Sequence, residues 1–456
     1  MKKTSTNTMD IPELARYISS FQLEGLPPSV VTTTKSCMLY ALAVGIGTKR
    51  STPALISTSA TESGGEAATR LIDGKRLGQG SAAFANAVLM SGRAQGDSHL
   101  CGHMGGIVIP AALASAETHG ASGATLLASV LAGYETALRI GRDHYGDLSL
   151  RGFRTSPCYG VFGATVASSR IRNFSSAQMC NAICLATNFA SGLRQYVESG
   201  TEESPYQAGF TARNGIYTAD LVACGAEAGL LAFTGRAGFY STYAQQGVEY
   251  GRRVTEALGK VFEIENVTYK EYPACQIVRG VAKGLAEMRE LLRGKEPERI
   301  EIRLNPYEAD FIGTKYSGPF TSAAQTLMSA PFCAALTWAT GTISYSGLRD
   351  FNNPRINDLI PRITVIADET RGKYEPHIKI DTSDGAVHVW EETSGAGDSI
   401  YRLTWDAAVM MNYRLCDEVG VSKVLAMQIE EEIATIEKKP DVSSLVSAVC
   451  AATATR

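Results

Sequence analysis

The stretch Gly96-Asp97-Ser98-His99-Leu100-Cys101-Gly102-His103-Met104-Gly105-Gly106 runs directly into Ile107-Val108-Ile109-Pro110. Two of the six histidines stand here four residues apart, beside an acid and among four glycines. Glycine lets backbone approach a neighbour closely, and an acid near an imidazole orients the ring and sets its protonation state. Two readings follow: a polar loop ahead of a helix start, or a ligand site.

Outward from this stretch the chain reads as helix after helix. Upstream, Ser81 is placed to cap a helix through Phe84, Val88 and Leu89 that delivers the chain to the loop. Downstream, Ile107 to His119 reads as a buried, alanine-rich helix. Ser122 caps the next, with Leu126, Leu127, Val130, Leu131 and Tyr134 on one face. Gly160 to Ser168 consists mostly of small residues, which suits a closely packed central helix. No GxGxxG follows a strand and there is no Walker pattern, so a nucleotide site has little support. Nearer the start, Asp10-Ile11-Pro12-Glu13 reads as a capped helix start, and Pro27-Pro28-Ser29 ends one helix and begins another. Ile72-Asp73-Gly74-Lys75 reads as a tight turn between short strands, and Ser175 with Gln178 as a capping box.

The pattern changes near residue 265. A helix carrying Val278, Val281, Leu285, Met288 and Leu292 is followed by alternating runs at Ile300, Ile302 and Leu304, at Ile363 and Val365, and at Ile378 and Ile380. Asp384-Gly385 turns the chain into Val387 and Val389, a hairpin signal. Helical patterns return from about Tyr401. The expected fold is mainly α: a large helical domain of residues 1–264 and 402–456, with a smaller α+β lid domain, 265–401, inserted before the C-terminal helices.

Composition bounds the function. At 456 residues, 45% hydrophobic and 20% charged, the chain has the make-up of a soluble globular protein. A net charge of −3 argues against a dominant nucleic-acid surface. The ten cysteines include no CxxC pair. Cys180 and Cys184 lie one turn apart with no histidine near, which favours core packing over metal, and the usage suits a reducing compartment. Met1-Lys2-Lys3 precedes a polar run, so no secretory signal is read, and no apolar run approaches bilayer-spanning length. A cytoplasmic protein with neither membrane nor nucleic acid as partner is expected.

Taken in order, the landmarks resemble those of the MmgE/PrpD family. They include Ala82-Ala83-Phe84-Ala85-Asn86, Asp97-Ser98-His99, His103 before Pro110-Ala111-Ala112-Leu113-Ala114, and Ala132-Gly133-Tyr134-Glu135. Further on stand Gly152-Phe153, Gly160-Val161-Phe162-Gly163-Ala164, Ala212-Arg213-Asn214-Gly215, Tyr272-Pro273-Ala274-Cys275, Ala324-Gln325, Ser329-Ala330-Pro331-Phe332 and Asp358-Leu359. The resemblance runs over nearly the whole chain. It implies a helical domain and a lid, a homodimer, and a metal-free, cofactor-free cleft that binds polycarboxylates. The family's activities include 2-methylcitrate dehydratase, cis-aconitate decarboxylase and iminodisuccinate epimerase.

Each of these chemistries moves a proton at a carbon next to a carboxylate and needs the developing charge held. By resemblance His103 is the catalytic histidine, Lys270 the lysine that faces substrate, and Asp97 the last acid of an Asp-x-Asp-Asp-Thr pattern. Asp97 either orients a histidine or caps the following turn. His99, Arg154, Gln207, Arg213, Tyr272, Cys275 and Arg279 are the candidate substrate-binding residues. Among them Cys275 also reads as a packed side chain, and Arg213 as a helix-face charge.

The departures from the family pattern are specific. Ala94 and Gly96 replace the first two acids, and Met104 replaces a proline. Arg154, Gln207 and Arg279 stand where histidine is common, Ser204 where lysine is, and Phe332 where tyrosine is. Arginine grips a carboxylate bidentately but is a poor proton donor at neutral pH. Both new arginines line the pocket, or both lie outside it and pair with surface acids. The leading expectation is a lyase of the 2-methylcitrate dehydratase type acting on a di- or tricarboxylate. The alternatives are an epimerase or decarboxylase using the same proton chemistry, a carbon–carbon bond-forming enzyme, and a non-catalytic anion-binding homologue.

Overall fold

The structure, a computed structural model, describes residues 10–61, 64–244, 253–392 and 401–454. Asp10 caps the first helix, Ile11–Ser19, by accepting the Glu13 N–H at 2.8 Å. Pro28 then opens Pro28–Thr48, whose side chains are buried almost all round from Ser36 onward. This helix corrects the expectation that no apolar run is long enough to span a bilayer. By length and composition it qualifies, yet 78% of its most apolar window is buried in the helical body. Periodicity alone cannot separate a membrane span from a central core helix.

Twenty α-helices against six strands among the described residues make the fold mainly α, as expected. Helices Gln79–Ser91, Gly105–His119, Gly123–Gly141, Thr155–Ile171 and Ser204–Ala223 pack at the centre. Their small residues set the spacing. A Cβ at Gly133 would lie 2.7 Å from the Gly163 carbonyl, and one at Gly163 would lie 2.7 Å from Val108. Ser122 and the Ser175–Gln178 capping box start their helices as read. Ser81 does not cap: Gly78 precedes the helix, which starts two residues earlier than Ser81.

Strands β1 (Ala68–Arg70) and β2 (Lys75–Leu77) form the expected small hairpin. The remaining four make one sheet: β3 (Pro297–Leu304), β4 (Ile363–Ala367), β5 (His377–Thr382) and β6 (Val387–Glu391), in the order β4-β3-β5-β6. The β3–β4 pair is parallel and the other two are antiparallel. Ile300, Ile302, Ile378 and Ile380 are fully buried beneath the helix Arg279–Leu291 and its neighbours. On β6 the valines face outward, 56% and 57% exposed, and Trp390 turns toward Gly284 instead. The alternation is real, but the aromatic face has the larger area to bury, so it wins the inward side.

Buried apolar side chains gather in separate clusters. The largest draws on residues between Ile11 and Val267 and again between Leu403 and Ala452. A second lies wholly between Ala274 and Ile380. The chain passes between them twice, and the two passages run side by side. Tyr269 N–H bonds the Tyr401 carbonyl at 2.9 Å, and Leu403 N–H the Val267 carbonyl at 3.0 Å. Ser98, in the glycine-rich loop, bridges to Thr268 on one passage, and Thr268 bridges to Arg402 on the other.

Candidate active site

The glycine-rich loop is held by contacts that only small residues permit. Gly102 has φ +121°, and a Cβ there would lie within 2.9 Å of the Ser156 backbone. Its N–H and carbonyl pair with those of His99, closing a tight turn. The next residue, His103, donates its backbone N–H to Ser156 Oγ at 3.0 Å. The loop is thereby pressed against the start of Thr155–Ile171.

Asp97 is buried beneath this turn. Its Oδ1 accepts the Gly105 N–H at 2.9 Å, and its Oδ2 accepts the Tyr134 hydroxyl at 2.7 Å. Burial raises its carboxyl to about 6 against those two bonds. The carboxylate therefore anchors the start of Gly105–His119 and does not line the cavity. Of its two expected roles only the cap holds for the side chain. The Asp97 backbone carbonyl does the orienting, because it lies 2.6 Å from His103 Nδ1. A carbonyl oxygen can only accept, so Nδ1 carries the ring proton. Burial, followed by the charges of Lys270 and Arg154, pushes His103 well below its ordinary value. The neutral ring thus presents an unprotonated Nε2.

His103 lines a cavity of about 210 Å³. Lys270 enters it from the first passage between the cores and is 5% exposed. Tyr40 and Gln95 fix its backbone. The Tyr40 hydroxyl accepts the Lys270 N–H at 3.1 Å, and Gln95 Nε2 donates to the Lys270 carbonyl at 3.1 Å. Lys270 Nζ donates to the Ala94 carbonyl at 3.0 Å. Burial lowers the amine to about 8, with Arg279 and Arg154 pushing the same way against Cys275 and Asp97. Ala94 holds φ +52°, a left-handed conformation that costs an alanine about 1–2 kcal/mol. The loop tolerates that strain where its carbonyl meets the amine.

Arg154 also lines the cavity, and its Nη1 donates to the Ser204 carbonyl at 2.7 Å. Arg194, which no sequence landmark singled out, stands beside it. Phe153 and Leu193 form an isolated antiparallel bridge, with Arg154 N–H on the Gly192 carbonyl and Arg194 N–H on the Gly152 carbonyl, both at 3.0 Å. Side chains alternate along extended backbone, so the residue after each bridge partner faces the same way. Both arginines line the cavity as a result. Among the described residues neither arginine, nor Lys270, has a carboxylate within ion-pair distance. No sequence signal singles Arg194 out, since the Gly-x-Arg spacing shared by 152–154 and 192–194 recurs at 74–76, 251–253 and 347–349.

The other expected site residues divide. His99 lines the cavity, with Nδ1 accepting the Cys101 N–H at 3.2 Å and Nε2 lying 3.4 Å from Glu263. Cys275 lines it as well, and burial raises its thiol, which suits packing rather than nucleophilic attack. Gln207 lies outside the lining and holds Arg154 from behind, Oε1 to Nη1 at 3.4 Å. With Gln207, four expected binding residues lie outside the lining. Arg213 lies outside the lining, stacked over Phe210 at 4.7 Å on the face of Ser204–Ala223, because the helix turns it away. Tyr272 packs against the second core and beside Arg414. Arg279 is buried outside the cavity, 3.5 Å from the Tyr401 ring centre, with Nη1 on the Tyr269 carbonyl. It joins the two passages between the cores instead of gripping a ligand. The tyrosine-to-phenylalanine departure at Phe332 is likewise remote, since Phe332 is fully buried against Phe320 in the second core. Among the described residues, no three His, Cys, Asp or Glu side chains converge as a metal site would require.

The arrangement is a base with its lone pair free, an amine with a lowered pKa, and two guanidiniums without acidic partners among the described residues, all on one cavity. Such a site can hold a polyanion and move a proton beside it. Known proteins resemble this chain. A cis-aconitate decarboxylase-like protein, oryM, of Aspergillus oryzae is 27% identical over 320 residues, 64% of this chain and 63% of its own length. The cis-aconitate decarboxylase of Aspergillus terreus is 27% identical over 311 residues, 63% of this chain and 61% of its own. The chain thus matches less than two thirds of the length of either relative. Residues 12–250, which carry the glycine-rich loop, His103, Arg154 and Arg194, match the MmgE/PrpD N-terminal domain. The chain belongs to the MmgE/PrpD family.

Proposed function

We propose that the protein is a lyase acting on a polycarboxylate by acid–base chemistry, with His103 as base and Lys270 as acid. One observation carries this reading: the Asp97 carbonyl fixes the His103 proton on Nδ1, leaving Nε2 free on a cavity that Lys270, Arg154 and Arg194 also line. In a dehydration, Nε2 takes a proton from the carbon next to a carboxylate. That electron pair forms the carbon–carbon double bond, the carbon–oxygen bond breaks, and the Lys270 ammonium protonates the departing hydroxyl to give water. Arg154 and Arg194 hold the carboxylates and offset the charge that develops on the reacting one.

The names of the relatives favour a second reading, decarboxylation. There the bond to a carboxylate breaks, carbon dioxide leaves, and Lys270 protonates the carbon that keeps the electron pair. In either reading residues 265–401 act as a lid over the helical body, and two copies form a homodimer.

The test is product analysis by NMR with a panel of di- and tricarboxylates and full-length protein. Loss of water supports dehydration, and loss of carbon dioxide supports the second reading. Sedimentation velocity checks the dimer. Turnover of no polycarboxylate at all would sink both readings.

A further inference from the structure

The second core supplies a further cation to the cavity. Arg349 ends the short turn Gly347–Arg349. That turn is held by its own core: the Thr326 hydroxyl donates to the Leu348 carbonyl at 2.6 Å, and the Gly347 N–H donates to Ser344 Oγ at 3.0 Å. Leu348 is buried there, 1% exposed. The next side chain, Arg349, reaches the cavity lining.

Its neighbours tie it to the cationic groups of the site. Arg349 Nη2 donates to Glu202 Oε1 at 2.9 Å. Glu202 stands two residues before Ser204, whose carbonyl accepts Arg154 Nη1. The Arg349 guanidinium also lies 4.1 Å from the Tyr345 ring centre, and the Arg93 guanidinium lies 5.0 Å from the same ring. Arg93 adjoins Ala94, whose carbonyl accepts Lys270 Nζ. Arg349 is thus linked on one side to the segment that holds Arg154 and on the other to the segment that holds Lys270.

These contacts leave part of the guanidinium unused. Stacking engages its face, and Glu202 takes Nη2. Nη1 is buried and has no hydrogen-bond partner among the described residues. A buried donor left unpaired is costly, more so on a charged group, and an anion that accepts from it recovers that cost.

We infer that Arg349 is a specificity-determining residue. Its Nη1 donates to a substrate carboxylate from the side of the second core, while Glu202 and Tyr345 fix the guanidinium for that bond. This rests on the reading of His103, Lys270, Arg154 and Arg194 as a polyanion site.

The test is calorimetric titration of the full chain with tricarballylate, which carries three carboxylates and no hydroxyl to eliminate. Arg349→Gln should weaken binding about 10–100-fold, the loss of a charged hydrogen bond. Glu202→Gln should leave binding unchanged or tighten it, because the amide oxygen still accepts from Nη2 and a competing negative charge is gone. A mere latch between the two cores would make both variants lose equally. That result overturns the proposal, as does an Arg349→Gln protein that binds like wild type. Arg349→Lys keeps a cation beside Tyr345 and decides the matter if the glutamine variant folds poorly. A loss of about 3–10-fold is expected from it, and no loss overturns the proposal while the polyanion site stands. If wild type does not bind tricarballylate, the polyanion site falls, and this inference with it.

Discussion

His103 Nδ1 donates its proton to the backbone carbonyl of Asp97 at 2.6 Å, while the Asp97 carboxylate faces the other way, toward Tyr134 and Gly105. Orientation of the base is thus a main-chain function, and the side chain of Asp97 is a cap. Asp97→Asn should keep kcat within about tenfold of wild type, since the carbonyl remains and an asparagine still caps a helix. A catalytic carboxylate would instead lose several orders of magnitude. The variant should also change the pH dependence of stability. The folded-state value of Asp97 is raised from 3.8 to about 6, so its favourable contribution is complete below pH 3.8 and lost as pH rises through 6. Denaturant melts across that window should show a loss of about 2–3 kcal/mol in wild type that the Asp97→Asn protein lacks.

Among the described residues the Lys270 amine donates only to a carbonyl, that of Ala94, and burial lowers it to about 8. As the general acid it must be protonated, so kcat/KM should fall as pH rises through about 8. The acid limb, set by His103, should lie well below pH 6.5. Ala94→Asp restores an acid beside the amine and suits the left-handed backbone better than alanine. It should move the alkaline limb up by about one pH unit or more. An unmoved limb removes Lys270 from that role.

Arg154 and Arg194 face the cavity together because of the Phe153–Leu193 bridge. Arg194→Gln should raise KM about 10–100-fold, the cost of losing one charged hydrogen bond, with a smaller change in kcat. The double variant should fall short of the product of the single effects if the two arginines share one carboxylate. Steady-state kinetics on the four proteins reads both quantities.

Gly102→Ala places a methyl against Ser156 at positive φ. The backbone cost alone is about 1–3 kcal/mol, and relief requires the loop to move. Thermal midpoint and activity should fall together, and activity should fall further, because His103 is the next residue.

Much of the helical body was legible because apolar periodicity and caps are local. Asp10, Ser122 and the Ser175–Gln178 box act where the sequence placed them. His103, Lys270 and Arg154 were found through landmarks and do share one cavity. Arg194, for which the sequence raises no expectation, lines the cavity, and Arg279, expected there, does not, for reasons no local pattern carries. A single bridge turns Arg194 inward, and a pair of tyrosines captures Arg279. The same holds for Asp97, whose side chain and main chain act on different neighbours, and for β6, where Trp390 and not the valines found the core.

The central claim is that His103 Nε2 removes a carbon-bound proton. The direct measurement is NMR detection of deuterium entering a bound polycarboxylate in heavy water. The account predicts exchange with wild type, none with His103→Ala, and exchange without net elimination with Lys270→Met. Undiminished exchange in His103→Ala would contradict it.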